Sequence, residues 1–304
     1  MDRQSFHILI NQNAGTVQNL RPEGVESLIV QSGIGVESLH FLEPDGFLEK
    51  LEYYQTQSDA PILIGGGDGT IRSCAPLFMG SGKPLGLFPL GTMNLLANDL
   101  GIPNETEAAL KAYAGECEKV EIDVGVVNDE PFLCCVGFGT MPETSEFREE
   151  NRTQSAPLLV PRLTVFILNQ LDRIHQRKVR IVIDGKVCRT RTSALVISNN
   201  EYSPQDEWNA AENFKRPSLQ DGKLGVYSAA PRTLWDRVRL LMCLQTGSWH
   251  RDPVIREWKG REVRLETRHA EELISLDGEA QTMATPLNFR VEPGALKFIV
   301  PRMK

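Results

Sequence analysis

Pro61-Ile62-Leu63-Ile64-Gly65-Gly66-Gly67-Asp68-Gly69-Thr70 is the stretch that decides how this chain is read: an apolar run ending in four glycines around one carboxylate. The run has the length and composition of a buried strand. Glycine supplies positive φ and leaves room for a ligand against bare main chain, so successive N–H groups can turn inward as an anion nest. Ile71 to Met79 reads as a helix, whose N-terminus adds partial positive charge at the same place. A plain strand-to-helix turn needs one or two glycines and no acid.

Outward from that loop, strands and helices alternate. Phe6 to Ile10 is a strand candidate that ends at Asn11-Gln12-Asn13-Ala14-Gly15. A helix fits Glu23 to Ser32, a strand Val36 to Phe41, and a second helix Gly46 to Gln57. Leu85 to Phe88 is a further short strand, and Thr92 to Leu100 and Glu105 to Ala114 look helical. Alternation at this spacing implies a parallel sheet with helices on both faces. Ligands of such sheets bind beyond the carboxyl ends of the strands. The loops Asn11 to Gly15, Gly65 to Thr70 and Pro89 to Asn94 all leave those ends.

After residue 115 the character changes to short β-prone stretches. These are Glu118 to Val127, Pro131 to Val136, Lys178 to Ile183, Ala194 to Ser198, Leu224 to Tyr227, Glu262 to Glu266 and Leu273 to Leu276. Asp184-Gly185 between strand-like runs is a hairpin signal. The expected fold class is therefore α/β plus all-β. Residues 1–115 form an α/β domain, 116–285 a mostly antiparallel β domain, and 286–304 rejoin the first domain through the apolar run Ala295 to Val300.

Composition narrows the function. The 304 residues are enough for two modest domains, and 41% hydrophobic with 24% charged residues is ordinary for a globular protein. A net charge of −7 argues against a nucleic-acid surface as the main business, although local basic patches remain compatible with it. Six cysteines without a CxxC pair fit reduced thiols and a cytoplasmic setting better than zinc or disulfides. The N-terminus lacks a signal-peptide pattern, and no run of 18 apolar residues appears. A lipid substrate would thus be met peripherally, at the inner membrane face, with no transmembrane segment.

Several chemistries drop out. GxxxxGK[ST] is absent, and the glycine loop fails GxGxxG because Thr70 stands where the last glycine belongs. Neither HExxH nor GxSxG occurs. A glycine nest, an acid within it and further acids downstream suit phosphoryl transfer, in which the protein holds phosphates, binds magnesium and aligns an acceptor hydroxyl. Asp68 repels phosphate, so its use is as a metal or water ligand, or as a partner of the acceptor hydroxyl.

Gly65–Thr70 followed by Pro89-Leu90-Gly91-Thr92-Met93-Asn94-Leu95-Leu96-Ala97-Asn98-Asp99-Leu100-Gly101-Ile102-Pro103 resembles the catalytic domain shared by diacylglycerol, sphingosine and ceramide kinases. The length is similar to that of the bacterial soluble lipid kinases of that group. Leu219-Gln220-Asp221-Gly222-Lys223-Leu224 and Leu276-Asp277-Gly278-Glu279 extend the resemblance. It implies an N-terminal NAD-kinase-like three-layer α/β domain, a C-terminal antiparallel β-sandwich, and an active site in the cleft between them. It also implies ATP and Mg2+ as cofactors and a lipid such as diacylglycerol or a sphingoid base as acceptor. Asn11 and Gly15 match the family's first nucleotide loop. Gly65, Gly66, Gly67, Asp68, Gly69 and Thr70 would hold the ATP phosphates, with Gly91, Thr92 and Asn94 from the second loop. Glu279 matches the general base, ahead of Asp68. Asp277 and Asp68 would organise magnesium and water, and Asp221 matches a second, structural magnesium site.

The chain departs from the family where Gln12 and Ala14 replace the proline and serine of NPxSG, and where Gly137 to Glu143 lacks the aspartate often found just after its glycines. Ser145 to Ser155 reads as a surface loop. His7, His40, His175, His250 and His269 show no ligand spacing and read as surface or capping residues. Cys134 and Cys135 read as core residues on opposite faces of one strand, and Arg173 to Arg180 as a helix end. Pro231 to Arg251 reads as a helix packed on the β domain with snorkelling arginines, or as one that docks on anionic headgroups. A kinase of a soluble acceptor such as NAD, and a nucleotide-binding regulator without catalysis, are the alternative functions. The 89–94 segment weighs against the first, and Asp68, Asp277 and Glu279 weigh against the second. The identity of the lipid and a homodimeric state stay open.

Overall fold

The computed structural model describes residues 4–142, 176–203 and 214–302. The chain divides into two compact units, Met1–Ile122 with Gly294–Lys304, and Asp123–Pro293. The mixed α/β and all-antiparallel character expected of the two halves is what the described residues adopt.

The first unit contains β1 (Ser5–Asn11), α1 (Gly15–Ser32), β2 (Gly35–Leu42), α2 (Pro44–Gln57), β3 (Ile62–Gly66), α3 (Asp68–Phe78), β4 (Leu85–Pro89), α4 (Leu95–Asp99) and α5 (Thr106–Tyr113). Its strands run parallel in the order β2-β1-β3-β4. Every residue of β3 and β4 is buried, which explains why their sequences are continuous apolar runs rather than alternating ones. Residues Phe298 and Ile299 of the last strand pair parallel with β4, so the apolar C-terminal run does join this core.

Helix boundaries differ from expectation for local reasons. The first helix begins at Gly15, but Arg21 (φ 60°, ψ 160°) breaks it, as the residue before Pro22 is pushed out of the helical region. The 92–100 helix shrinks to Leu95–Asp99 because Asn94 takes a left-handed conformation (φ 48°). The glycine-loop helix begins three residues early, at Asp68. His7 is neither a surface residue nor a cap: its ring bonds Ser38 Oγ and Ser58 Oγ and stacks on Tyr54 at 4.1 Å.

The second unit is a sandwich. One sheet runs antiparallel in the order β12 (Ile255–Gly260), β11 (Leu224–Ala229), β10 (Ala194–Asn199), β7 (Cys135–Gly139), β14 (Glu271–Leu276), β15 (Glu279–Ala284). The other pairs residues 287–290 of β16 (Leu287–Pro301) with β13 (Glu262–Glu266), then β8 (Arg177–Ile183) and β9 (Lys186–Thr192). Residues 125–127 of β5 (Cys117–Val127) form a hairpin with β6 (Glu130–Phe132). Alternate residues of both sheets, among them Phe132, Phe138, Ile181, Ile197, Val226, Leu265, Ile274 and Phe289, fill one core. Two-residue turns with both φ positive close three hairpins: Asn128–Asp129, Asp184–Gly185 and Asp277–Gly278.

Two readings of this half are corrected and a third, the helix within 231–251, is borne out with narrower bounds. The 131–136 strand is two strands, interrupted at Leu133 and Cys134, so Cys134 and Cys135 do not alternate on one strand. Arg177 to Arg180 lie at the start of β8, not at a helix end; residues 173–175 lie outside the described residues, as does Ser145 to Ser155. The 231–251 segment is α6 (Leu234–Thr246), opened by a Thr233/Asp236 capping box and closed by left-handed Gly247, with a short 3-10 turn at Trp249–Arg251. The strands 186–192, 255–260 and 279–284 were not among those expected.

Tyr113 is a cross-brace of the first unit. Its buried hydroxyl accepts the Leu87 N–H at 3.0 Å and reaches the carbonyls of Leu87 and Ile299 at 2.9 and 3.2 Å. Burial pushes the phenol well above its usual range, so it stays a neutral donor. Tyr113→Phe is expected to weaken this edge of the sheet by about 1–3 kcal/mol, because a buried N–H loses its acceptor. Hydrogen exchange at Leu87 should speed up accordingly; unchanged protection would count against the brace.

Candidate functional site

In the first unit the loops after β1, β3 and β4 are tied to one another through main chain. Asn11 ends β1, accepts the Asn13 N–H on Oδ1 at 2.9 Å and donates from Nδ2 to Thr70 Oγ1 at 3.0 Å. The Thr16 N–H meets the Leu90 carbonyl at 3.1 Å, and the Leu90 N–H meets the Gly66 carbonyl at 2.9 Å. Asn11, Gly15, Gly65–Thr70 and Gly91–Asn94 therefore belong to one loop cluster at the carboxyl ends of parallel strands.

The glycines serve closeness, not left-handed backbone: Gly65, Gly66, Gly67, Gly69 and Gly91 are all absent from the positive-φ positions. A Cβ on Gly91 would stand 2.6 Å from Gly67 Cα, one on Gly66 2.6 Å from Thr70 Cβ, and one on Gly65 2.9 Å from Ile10 Cγ1. The expected positive φ is thus replaced by a different constraint, two loops whose backbones touch with nothing between them. Bare main chain remains exposed to a ligand either way.

Asp68 occupies the first turn of α3, not the middle of a nest. Its Oδ2 accepts the Leu95 N–H at 3.1 Å and its Oδ1 the Leu96 N–H at 3.2 Å, so it caps the short α4 from outside. Asn94 is buried and holds its own loop, accepting the Gly91 N–H and donating to the Gly91 carbonyl. Thr92 is exposed beside it.

In the second unit Asp277 and Glu279 flank Gly278 (φ 94°) at the β14–β15 turn. The Asp277 carboxylate accepts three successive main-chain N–H groups, Leu133 at 2.7 Å and Cys134 and Cys135 at 2.9 Å. Diverting those amides is what interrupts the strand there. The carbonyl side of the same loop is held by Arg216, buried and bonded to Leu133 O, and by the Asn199 side chain. Glu279 is exposed as the first residue of β15.

Asp221 is exposed on a separate loop. The next residue, Gly222, gives its N–H to Asp123 Oδ2 at 2.6 Å, and Asn200 Nδ2 reaches the same oxygen at 2.9 Å. Asp123, Asn199, Asn200 and Arg216 escaped the sequence reading. A buried acid inside the apolar run Ile122 to Val127 was the signal for the first; nothing local marks the others. Asn199 Oδ1 and Asn200 Oδ1 are buried and accept no hydrogen bond among the described residues. No group of three or more His, Cys, Asp or Glu side chains gathers in metal-binding geometry among the described residues.

Comparison with known proteins adds to this geometry. Residues 5–127 match the Diacylglycerol kinase catalytic domain, and residues 146–300 the YegS C-terminal NAD kinase beta sandwich-like domain. A Pseudomonas aeruginosa protein named "Probable lipid kinase YegS-like" is 32% identical over 80% of this chain and 77% of its own. An uncharacterized protein of Synechocystis is 25% identical over 81% of this chain. The match spans 56% of that protein, and YegS proteins of Klebsiella and Salmonella are matched over 28% of theirs. The fold is also similar to the crystal structure of a diacylglycerol kinase from Bacillus anthracis, with TM-score 0.63, 18% identity, and 98% and 97% of the two chains covered.

Gly91→Ala should force the two touching loops apart, at about 1–3 kcal/mol for a Cβ driven into backbone. A lowered melting temperature and weakened binding of an ATP analogue are expected. Gly46→Ala, which meets nothing within 4 Å in α2, is the matched control and should leave both unchanged or slightly improved.

Proposed function

The chain belongs to the YegS-like family that couples a diacylglycerol kinase catalytic domain to a NAD-kinase-like β-sandwich, and from that membership we propose an ATP- and magnesium-dependent lipid kinase that phosphorylates a primary hydroxyl. The observation that carries the reading is the loop cluster of the first unit. Its Gly67–Gly91 backbone contact leaves bare amides beside the N-terminus of α3, the setting in which phosphate is held by main chain and helix dipole.

The residues fit the implied cofactors unequally. The 65–70 and 89–94 loops suit nucleotide phosphates. For magnesium, Asp277 is a poor ligand, since both its oxygens already take N–H bonds. Asp221 is the better candidate, next to a turn where two buried amide oxygens lack donors among the described residues, because magnesium prefers oxygen ligands and retains much of its water. When bound, the nucleotide with its ion supplies the transferable phosphoryl group.

The chain's own residues then do the positioning. Gly65–Thr70 and Thr92 orient phosphate through N–H and hydroxyl donors. Asp68 fixes the second loop by holding Leu95 and Leu96. Glu279 takes the proton of the acceptor hydroxyl, and Asp277 holds the turn that presents it. Catalysis is mainly alignment plus one proton transfer, as phosphoryl transfer requires. Placement at the inner face of a membrane, on a diacylglycerol or sphingoid base, and as a monomer or homodimer, belongs to this same proposal.

The test is incubation with labelled ATP, magnesium and micelles of candidate lipids. Label should reach a lipid, and Glu279→Ala should lower the rate by about 10²-fold or more, as loss of a general base does. Transfer to NAD with none to any lipid would sink the proposal. Near-normal turnover in Glu279→Ala would remove that residue from the reaction.

A further inference from the structure

The outer face of β8 and β9 places like charges directly opposite one another: Lys178 faces Arg191, and Arg180 faces Arg189. Val179, Ile181 and Ile183 take the buried side of the same strand, so the cations share the outer face. Such pairs oppose strand pairing. One acid answers them: Glu266 bonds Arg180 at 2.8 Å and is shared with Arg264 at 3.0 Å. Lys178, Arg189 and Arg191 form no ion pair with any described residue. The strands line a cavity of about 540 Å³ to which Arg232, Arg256 and Arg268 add further charge, giving seven cations against one acid among the described residues, in a chain of net charge −7.

Cations on an edge strand guard against aggregation. That accounts for β9, but not for Lys178 and Arg180 on interior β8, nor for Arg256 on β12 of the other sheet. A neighbouring hollow shares Gln176, Arg191 and Arg232 with the first and reaches Arg237 on α6. That helix buries only Leu240. Trp235 and Met242, seven residues apart on one helical face, are 69% and 60% exposed, and Leu234 at the helix start is 66% exposed. By contrast Trp249 is buried against Tyr202, Phe214 and Tyr227.

We propose that the β8–β9 groove and the exposed first turn of α6 beside it together dock on a bilayer of anionic phospholipid. The cations meet headgroup phosphates, and Leu234 and Trp235 enter the interface between headgroups and acyl chains. A nucleic acid would use the charges but leaves the Leu234 side chain without a role. The inference deepens the lipid-kinase reading and rests on it for why the chain meets a membrane, while the surface itself is independent of catalysis.

The test is co-sedimentation of the full chain with phosphatidylcholine vesicles, with and without phosphatidylglycerol, in the absence of ATP. Binding should require the anionic lipid and fade with salt. Arg189→Glu/Arg191→Glu places acids opposite Arg180 and Lys178, so its melting temperature should hold or rise while vesicle affinity falls by about tenfold or more. Trp235→Ser should weaken binding and leave its salt dependence in place. Equal binding to neutral vesicles, undiminished binding by the charge-reversal variant, or binding to duplex DNA but not to vesicles overturns the proposal. Phosphoryl transfer in micelles without vesicle binding overturns this inference alone; vesicle binding without transfer to any lipid supports it and sinks the kinase reading instead.

Discussion

Carboxylates that gather main-chain N–H groups hold this molecule's functional loops in shape. A loop with three consecutive amides facing inward cannot stay ordered in an apolar interior unless something accepts them. Asp277 does this for Leu133–Cys135, Asp68 for Leu95 and Leu96, Asp123 for Gly222, and Asp184 for Arg261 and Glu262. In each case an acid of one element, at its end for Asp68, Asp184 and Asp277 and within β5 for Asp123, fixes backbone that is distant in sequence. Acids that look like reagents in the sequence are thus first of all architecture.

That distinction separates Asp277 from Glu279, two residues apart in one motif. Asp277 spends its charge on amides, which costs it freedom as a ligand. Glu279 is exposed as the first residue of the next strand. Only Gly278 separates them, so the residue that holds the 133–135 loop also sets where the first residue of the next strand begins.

The α/β half was legible because buried parallel strands must be continuous apolar runs, and Ile62–Ile64 and Leu85–Phe88 are such runs. The β half was legible wherever one face is buried, as at Glu262–Glu266, and illegible at Lys186–Thr192 and Glu279–Ala284, whose exposed residues carry little apolar signal. Of the two uses expected of the loop's glycines, positive φ is absent, and the contact between two backbones that takes its place leaves no trace in either segment alone. Asp68 likewise showed its charge in the sequence and hid its partners, because Leu95 and Leu96 contribute amides that every residue possesses. Arg177–Arg180 misled because a row of cations reads the same on a helix terminus as on a strand.

The row of cations on β9 has a consequence for the solution behaviour of the chain. β9 ends its sheet among the described residues, so one side of its backbone offers its N–H and C=O groups to any extended segment that approaches. Charge repulsion between identical edges is what keeps a second copy from adding a strand there. An ionic strength high enough to shorten that repulsion to a few ångströms removes the guard. Salt then decides whether this edge stays apart from another copy of itself.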